Sequence, residues 1–166
     1  MKTMRMLMIT ILLLVLSVNA VAADSSDKYE MIELGTLGGF ASNVADINEA
    51  GQIVGQSNSV SGYNHAFLWD NGVMIDLGTL SDSYRYSLAV AINQRGQIIG
   101  NNATFKPTSG RRAFVWEKGL MIDLGTLGGS ESIAFAINDG GQIVGSSRYA
   151  NGENHGFLWE YFREME

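Results

Sequence analysis

The chain has 166 residues, among them 20 Gly, one Pro and no Cys, and its formal net charge is −6 at pH 7. The lack of cysteine excludes a disulfide framework, a thiolate zinc site and a cysteine nucleophile. The excess of acidic residues argues against nucleic acids and anionic membrane surfaces as partners. Because 46% of the residues are hydrophobic and 17% are charged, the chain is able to bury a core and is not a disordered tail.

Residues 1–22 have the pattern of a secretory signal peptide. Lys2 and Arg5 precede an uncharged apolar stretch of about 13 residues, and Ala20-Val21-Ala22 provides a small-x-small cleavage site. The apolar stretch is shorter than the roughly 20 residues of a membrane-spanning helix. We therefore expect cleavage, a polar linker at 23–30, a secreted product without a membrane span, and a net charge of −8 after loss of two basic residues. An uncleaved N-terminal anchor is the alternative.

The rest of the chain repeats one unit of about 45 residues three times. Three motifs recur in fixed order: LGTL at 34–37, 77–80 and 124–127; INxxGQIVG or INxxGQIIG from Ile47, Ile92 and Ile137; and HAFLW, RAFVW or HGFLW from His65, Arg112 and His155. The middle copy contains two insertions of two residues, and insertions of this kind mark loops. We predict repeats at 31–73, 74–120 and 121–161, followed by a tail at 162–166.

Each repeat contains four short apolar segments bounded by turn-forming residues, which in the first copy read MIELGTL, SNVADIN, GQIVGQS and HAFLW. An Asn-x-x-Gly sequence between the second and third segments predicts a tight hairpin that ends at Gly51, Gly96 or Gly141. The consecutive apolar residues of HAFLW indicate a strand that is covered on both faces. We predict an all-β fold of four-stranded, β-propeller-like blades. A β-trefoil or β-prism with internal threefold symmetry and an open β-solenoid are the alternatives.

The motifs HAFLW, DLGTLGG followed by SxAxAIN, and GQIVG resemble the HAF repeats, a family of probable extracellular repeats in secreted bacterial and archaeal proteins. The resemblance covers residues 31 to about 161. It implies a secreted repeat protein, and the family carries no established activity. Members usually contain more than three repeats, and after Trp159 this chain reads EYFREME where the earlier copies continue with a Met-Ile-Asp-Leu-Gly segment. Both a capping repeat and a truncated reading frame would account for this ending.

One repeat position holds His65, Arg112 and His155, and we expect these side chains to act as hydrogen-bond donors. An arginine does not ligate a metal, so the series argues against a metal site. Ser and Asn recur in register and supply acceptors for a structural network inside each unit: Ser42, Ser87, Ser132, Asn48, Asn93 and Asn138. The acidic residues Glu33, Asp76 and Asp123 are expected to be edge-strand charges that discourage aggregation, and weak Ca²⁺ binding is the alternative. No cofactor is expected.

The aromatic residues separate into two classes. Trp69, Trp116 and Trp159 follow apolar residues within strands and are expected in the core. The candidates for contact with a ligand lie in loops that differ between copies, where binding specificity is commonly found: Tyr63, Tyr84, Tyr86, Phe105 and Tyr149. The glycosylation sequence Asn102-Ala103-Thr104 suggests a further surface loop.

These features predict a secreted, non-catalytic repeat protein that binds an extracellular protein or glycan, or has a structural role there. A propeller-type hydrolase acting on polysaccharide is the enzymatic alternative, and a fragment of a longer repeat protein is another. The residues inserted in the middle copy lack the carboxylate or histidine pair that hydrolysis normally uses. Three blades would leave two open sheet faces, so we expect self-association, with a six-blade dimer as the simplest closure.

Overall fold

The structure is a computed structural model that describes residues 29–105 and 110–160. The chain divides into two compact units, Met1–Ile32 and Glu33–Glu166, and only residues 29–32 of the first unit are described. The predicted signal peptide at 1–22, the linker up to residue 28 and the tail at 162–166 lie outside the described residues. The strands are β1 (Gly38–Ile47), β2 (Ile53–Ser59), β3 (Asn64–Asp70), β4 (Val73–Gly78), β5 (Tyr86–Ile92), β6 (Ile98–Ala103), β7 (Arg112–Glu117), β8 (Leu120–Asp123), β9 (Ser132–Ile137), β10 (Ile143–Arg148) and β11 (Asn154–Trp159).

The eleven strands form three antiparallel sheets. The first sheet has the order β1-β2-β3-β4, the second has the order β5-β6-β7-β8, and the third consists of β11-β10-β9. The part of the chain that the structure describes contains no helix, which confirms the all-β class. It contains eleven strands where the sequence predicted twelve, and they form neither a closed barrel nor a closed propeller.

The Met-Ile-Asp-Leu-Gly segments occupy a different place from the predicted one. They were expected to begin each repeat, whereas in the structure β4 and β8 are the last strands of the first two sheets. The reason is a two-residue hairpin loop after β3 and after β7. Asn71 and Gly72 have φ values of 47° and 86°, and Lys118 and Gly119 have 52° and 86°. Positive φ at both loop residues is the geometry that turns one strand directly back along the next.

Apolar side chains form one core cluster on each side of the second sheet. The first cluster joins Val54, Ala66, Leu68 and Leu77 of the first sheet to Ala89, Ile92, Ile98 and Phe114 of the second. The second cluster joins Ile99, Ala113 and Val115 of the second sheet to Ala134 and Ile143 of the third. The second sheet is therefore covered on both faces. This explains why its strands β6 and β7 carry consecutive apolar residues instead of alternating ones.

The Asn-x-x-Gly hairpins form as predicted. In the first of them, the Asn48 Oδ1 atom accepts the backbone N–H groups of Ala50 and Gln52 at 3.1 and 3.0 Å, and its Nδ2 atom donates to Gln52 Oε1 at 2.9 Å. Gly51 donates its N–H to the Asn48 carbonyl at 3.0 Å with a φ of 77°. The asparagine thus fixes the turn through its side chain, as asparagine does in tight turns.

The same asparagines also join neighbouring sheets. Asn48 Nδ2 donates to the Asn93 carbonyl at 3.2 Å, and Asn93 Nδ2 donates to the Asn138 carbonyl at 3.0 Å. Beside them, the Glu49 N–H donates to Gln94 Oε1 and the Gln94 N–H donates to Asp139 Oδ1, again between residues 45 apart. These contacts form a ladder of amide hydrogen bonds that crosses all three hairpins.

Candidate functional site

An open groove of about 260 Å³ lies where the turn between β2 and β3 meets the loop between β4 and β5. Its lining includes Ser61, Tyr63, His65, Asp82, Tyr84 and Arg85. The β4–β5 loop carries one of the two-residue insertions of the middle copy. Two backbone hydrogen bonds hold this loop, from Tyr84 N–H to the Ser81 carbonyl at 3.0 Å and from Arg85 N–H to the Ala103 carbonyl at 3.1 Å.

Tyr63 is fixed by two neighbours from the β4–β5 loop and β5. The Tyr86 ring meets it edge-on, with ring centroids 5.4 Å apart and an interplanar angle of 89°. The Arg85 guanidinium carbon lies 5.6 Å from the Tyr63 ring centroid, within cation–π range. These contacts orient a cation and an aromatic ring at the groove, next to the half-buried Tyr84 and the exposed Asp82.

His65 at the edge of the groove is paired with a carboxylate. Its Nδ1 atom lies 2.9 Å from Asp76 Oδ2 and 3.1 Å from Oδ1. Arg112 holds the corresponding position in the second sheet and binds Asp123, with Nη2 to Oδ2 at 2.8 Å and Nε to Oδ1 at 3.2 Å. In the third sheet His155 Nε2 lies 3.6 Å from the Glu153 carboxylate. The donors at this repeat position therefore face carboxylates, and in the first two sheets the carboxylate belongs to the adjacent strand.

The recurring serines make contacts of another kind. Ser87 Oγ accepts the Ala66 N–H at 2.8 Å and donates to the Gly78 carbonyl at 2.5 Å. Ser132 Oγ accepts the Ala113 N–H at 3.0 Å, and Ser42 Oγ donates to the Gly35 carbonyl at 2.8 Å.

The nine predicted network residues thus fall into three groups. The His and Arg side chains pair with acids, the serines bind backbone groups, and the asparagines build the hairpin ladder.

Three of the five predicted loop aromatics come together. Tyr63 and Tyr84 line the groove and Tyr86 supports Tyr63. Phe105 is exposed and does not line it, whereas Tyr149 packs edge-on against His155 in the third sheet, with ring centroids 4.9 Å apart. Sequence reasoning did not single out Asp82 and Arg85 as binding residues. The insertion that carries them was the signal that would have indicated both.

The glycosylation sequence does not lie on a surface loop. Asn102 belongs to β6 and is fully buried, and its Oδ1 atom accepts the Leu80 N–H at 3.1 Å. The expectation of an exposed sequon was therefore wrong, because this side chain anchors the loop after β4. The tryptophans were expected in the core. Trp116 packs against the first cluster and Trp159 against the second, whereas Trp69 is half-buried outside both clusters.

Within residues 29–105 and 110–160, no three or more His, Cys, Asp or Glu side chains converge as metal ligands would. The same residues include no helix with the length and apolar character needed to cross a membrane. Comparison of the chain with protein-family models, with curated proteins and with solved structures finds no match.

Proposed function

We propose that this chain is a secreted, non-catalytic β-repeat protein that binds an extracellular glycan in the groove between the β2–β3 turn and the β4–β5 loop. The observation that carries the proposal is the combination of Tyr63, Tyr84, Asp82 and Arg85 around one open groove. The signal-peptide pattern at 1–22 and the resemblance to HAF repeats support the extracellular location.

The groove residues match the surface chemistry of a sugar. A pyranose ring presents apolar C–H groups on its faces and hydroxyl groups around its rim, so it suits a site that combines an aromatic ring with polar side chains. Tyr84 supplies the apolar surface, the Asp82 carboxylate accepts hydrogen bonds from sugar hydroxyl groups, and the Arg85 guanidinium donates hydrogen bonds through its N–H groups. Because the Arg85 guanidinium already packs over the Tyr63 ring, the Arg85 side chain loses little conformational entropy when a ligand binds.

The number of acidic residues that line the groove favours binding over hydrolysis. Among the described residues that line it, Asp82 is the one acid. Glycoside hydrolysis normally requires two carboxyl groups, one on each side of the scissile bond. We therefore rank a glycan-binding role above the hydrolase alternative.

The three sheets support a propeller-like arrangement of blades. Each of the first two sheets has four antiparallel strands, and the second is covered on both faces by core clusters, as a blade between two neighbours would be. In this arrangement the groove lies at the junction of two blades, where loops of unequal length provide specificity.

A glycan array screened with the exported protein, followed by calorimetry on the best ligand, tests the proposal. Tyr84→Ala and Arg85→Ala should each weaken binding at least about tenfold, which corresponds to about 1.4 kcal/mol. Tyr84→Phe should retain most of the affinity, and Tyr149→Ala, which removes an exposed aromatic ring of the third sheet, is the matched control. Unchanged affinity in Tyr84→Ala and Arg85→Ala, or failure to bind any glycan on the array, would refute the proposal.

A further inference from the structure

Among the described residues, the third sheet has three strands where the first two sheets have four, and one segment outside the sheets resembles the fourth strand. In the first two sheets the fourth strand contains Met-Ile-Asp, at 74–76 and 121–123. The third sheet has three strands among the described residues, with β11 at its edge. The related segment Met-Ile-Glu-Leu-Gly at 31–35 forms no strand, and its Met31 and Ile32 side chains are 98% and 67% exposed.

The end of this segment already has the conformation found at the equivalent places in the chain. Gly35 has a φ of 81°, compared with 70° for Gly78 and 80° for Gly125. The Gly35 carbonyl accepts a hydrogen bond from Ser42 Oγ, just as the Gly78 carbonyl accepts one from Ser87 Oγ. The segment is therefore held at its C-terminal end in the way that β4 is held, but it pairs with none of the eleven described strands.

One face of the first sheet and one face of the third sheet carry exposed apolar side chains. Their repeat positions are those of residues that pack together between the first and second sheets. On the first sheet, Val44 and Ile47 occupy the repeat positions of the buried Ala89 and Ile92, yet they are 62% and 61% exposed. On the third sheet, Val144 and Leu158 occupy the positions of the buried Val54 and Leu68, yet they are 46% and 56% exposed. Each of these two faces therefore exposes apolar side chains at repeat positions that are buried between the first and second sheets.

The hydrogen bonds between neighbouring sheets leave groups that could form the same hydrogen bonds with a second copy of the chain. Asn48 and Asn93 each donate an amide proton to the carbonyl of the asparagine 45 residues later, so the Asn138 amide is the next donor in this series. The acceptor that corresponds to it is the Asn48 carbonyl of another copy. The Ser87 and Ser132 hydroxyls likewise accept the Ala66 and Ala113 N–H groups, which makes the Gly156 N–H the counterpart for a second copy's Ser42.

The charges along residues 31–35 and β11 are also complementary. His65 pairs with Asp76 and Arg112 pairs with Asp123, eleven residues apart in both cases. The strand partners are Phe67 with Asp76 and Phe114 with Asp123. The same register applied to β11 places Glu33 opposite Phe157 and next to His155. An acidic residue would again meet a donor at this repeat position.

We propose that copies of this chain associate head to tail, with the third sheet of one copy stacked on the first sheet of the next. Residues 31–35 of the next copy add to β11 as the fourth strand of the third sheet, and Glu33 pairs with His155 across the contact. This is strand addition at an exposed sheet edge. The contact joins two different surfaces, so it produces a ring when the rotation closes, as in a six-sheet dimer, and a filament when it does not.

Cysteine cross-linking tests this contact directly because the chain has no cysteine of its own. The proposed register pairs Ile32 of one copy with Leu158 of another, as Leu68 pairs with Ile75 inside the first sheet. Both residues are exposed, so Ile32→Cys and Leu158→Cys should leave the fold intact, which circular dichroism verifies. On mild oxidation, a mixture of the two exported single variants should give a disulfide-linked dimer on a non-reducing gel, whereas each variant alone should remain uncross-linked.

The double variant Leu68→Cys/Ile75→Cys provides the matched control, since its disulfide should form within one chain in the same strand register. Three results would overturn the proposal. They are no cross-link in the mixture while the control forms, equal cross-linking of a single variant with itself, and a disulfide within one chain of the Ile32→Cys/Leu158→Cys variant. As a second measurement, Val44→Glu should convert the oligomer to monomer in sedimentation velocity, whereas Val60→Glu, on an exposed turn, should not.

Discussion

Ser87 in β5 connects two strands of the preceding sheet through a single hydroxyl group. It accepts the Ala66 N–H of β3 at 2.8 Å and donates to the Gly78 carbonyl of β4 at 2.5 Å. The pairing of β3 with β4 shifts register between Ala66 and Phe67, so the backbone groups near this point do not follow the regular ladder. A side chain of the second sheet therefore completes the hydrogen bonding of the first.

Replacement of the Ser87 hydroxyl should lower the free energy of unfolding more than replacement of the equivalent hydroxyl, that of Ser42, in the first sheet. Ser87→Ala leaves a buried N–H and a carbonyl without their partner, a loss of about 1–3 kcal/mol in the free energy of unfolding. Ser42 is exposed and binds one carbonyl, so Ser42→Ala should cost well under half as much. Urea denaturation of both variants in the monomeric Val44→Glu background, where Ser42 has no contact with a second copy, measures the difference. A loss in Ser87→Ala as small as the one expected for Ser42→Ala would contradict a stabilising role of the Ser87 hydroxyl at the sheet boundary.

The glycine that follows Ile99 in β6 is required by close packing. A Cβ atom at Gly100 would collide with the Leu88 carbonyl oxygen and with the Phe114 ring. Gly100→Ala should therefore lower the free energy of unfolding by at least about 2 kcal/mol, because neither the paired strand nor the buried ring has room to move.

Gly156→Ala is the control for this prediction. The nearest atom to a Cβ at Gly156 is 3.8 Å away, and alanine already stands at the equivalent positions Ala66 and Ala113. Its stability should change by less than about 0.5 kcal/mol. Thermal melts compare the two variants, and a destabilisation of Gly156→Ala as large as that of Gly100→Ala would contradict the packing argument.

The hairpin between β7 and β8 should become more stable when Lys118 is replaced by asparagine, the residue at the equivalent position 71 of the first sheet. Lys118 has a φ of 52°, a left-handed conformation that asparagine tolerates better than lysine does. Lys118→Asn should raise the free energy of unfolding by up to about 1 kcal/mol, and Asn71→Lys should lower it by a similar amount. Guanidinium titrations of the two variants provide the measurement. Destabilisation by Lys118→Asn would show that loop conformation does not limit stability here.

The strands could be predicted because their local signals are strong. The apolar runs and the Asn-x-x-Gly turns are sufficient to predict that β2, β6 and β10 each follow their preceding strand through a tight hairpin. The partner of the Met-Ile-Asp-Leu-Gly segment was missed, although Asn71-Gly72 is a strong hairpin signal. In the second sheet the same turn reads Lys118-Gly119 and gives a weaker signal, and the repeat boundaries drawn from the motifs separate β4 and β8 from the strands with which they pair.

The groove could not be predicted from the sequence, because it forms through contacts between residues that are far apart in the chain. Tyr63 and Arg85 are far apart in the chain and meet because β3 and β5 belong to sheets that pack against each other. The same packing explains the error at Asn102, which local sequence suggested was exposed. Asn102 is buried where the loop after β4 packs against β6, and its side chain accepts the Leu80 N–H of that loop.

The burial of Asn102 has a practical consequence for production of the protein. A eukaryotic secretory host attaches N-glycans to the Asn-x-Thr sequence before the chain has folded, and a glycan on this side chain would have no space inside β6. Molecules modified in this way would fail to form the second sheet and would be retained or degraded. Material that leaves such a host folded should therefore lack the glycan, and a bacterial exporting host avoids the loss altogether.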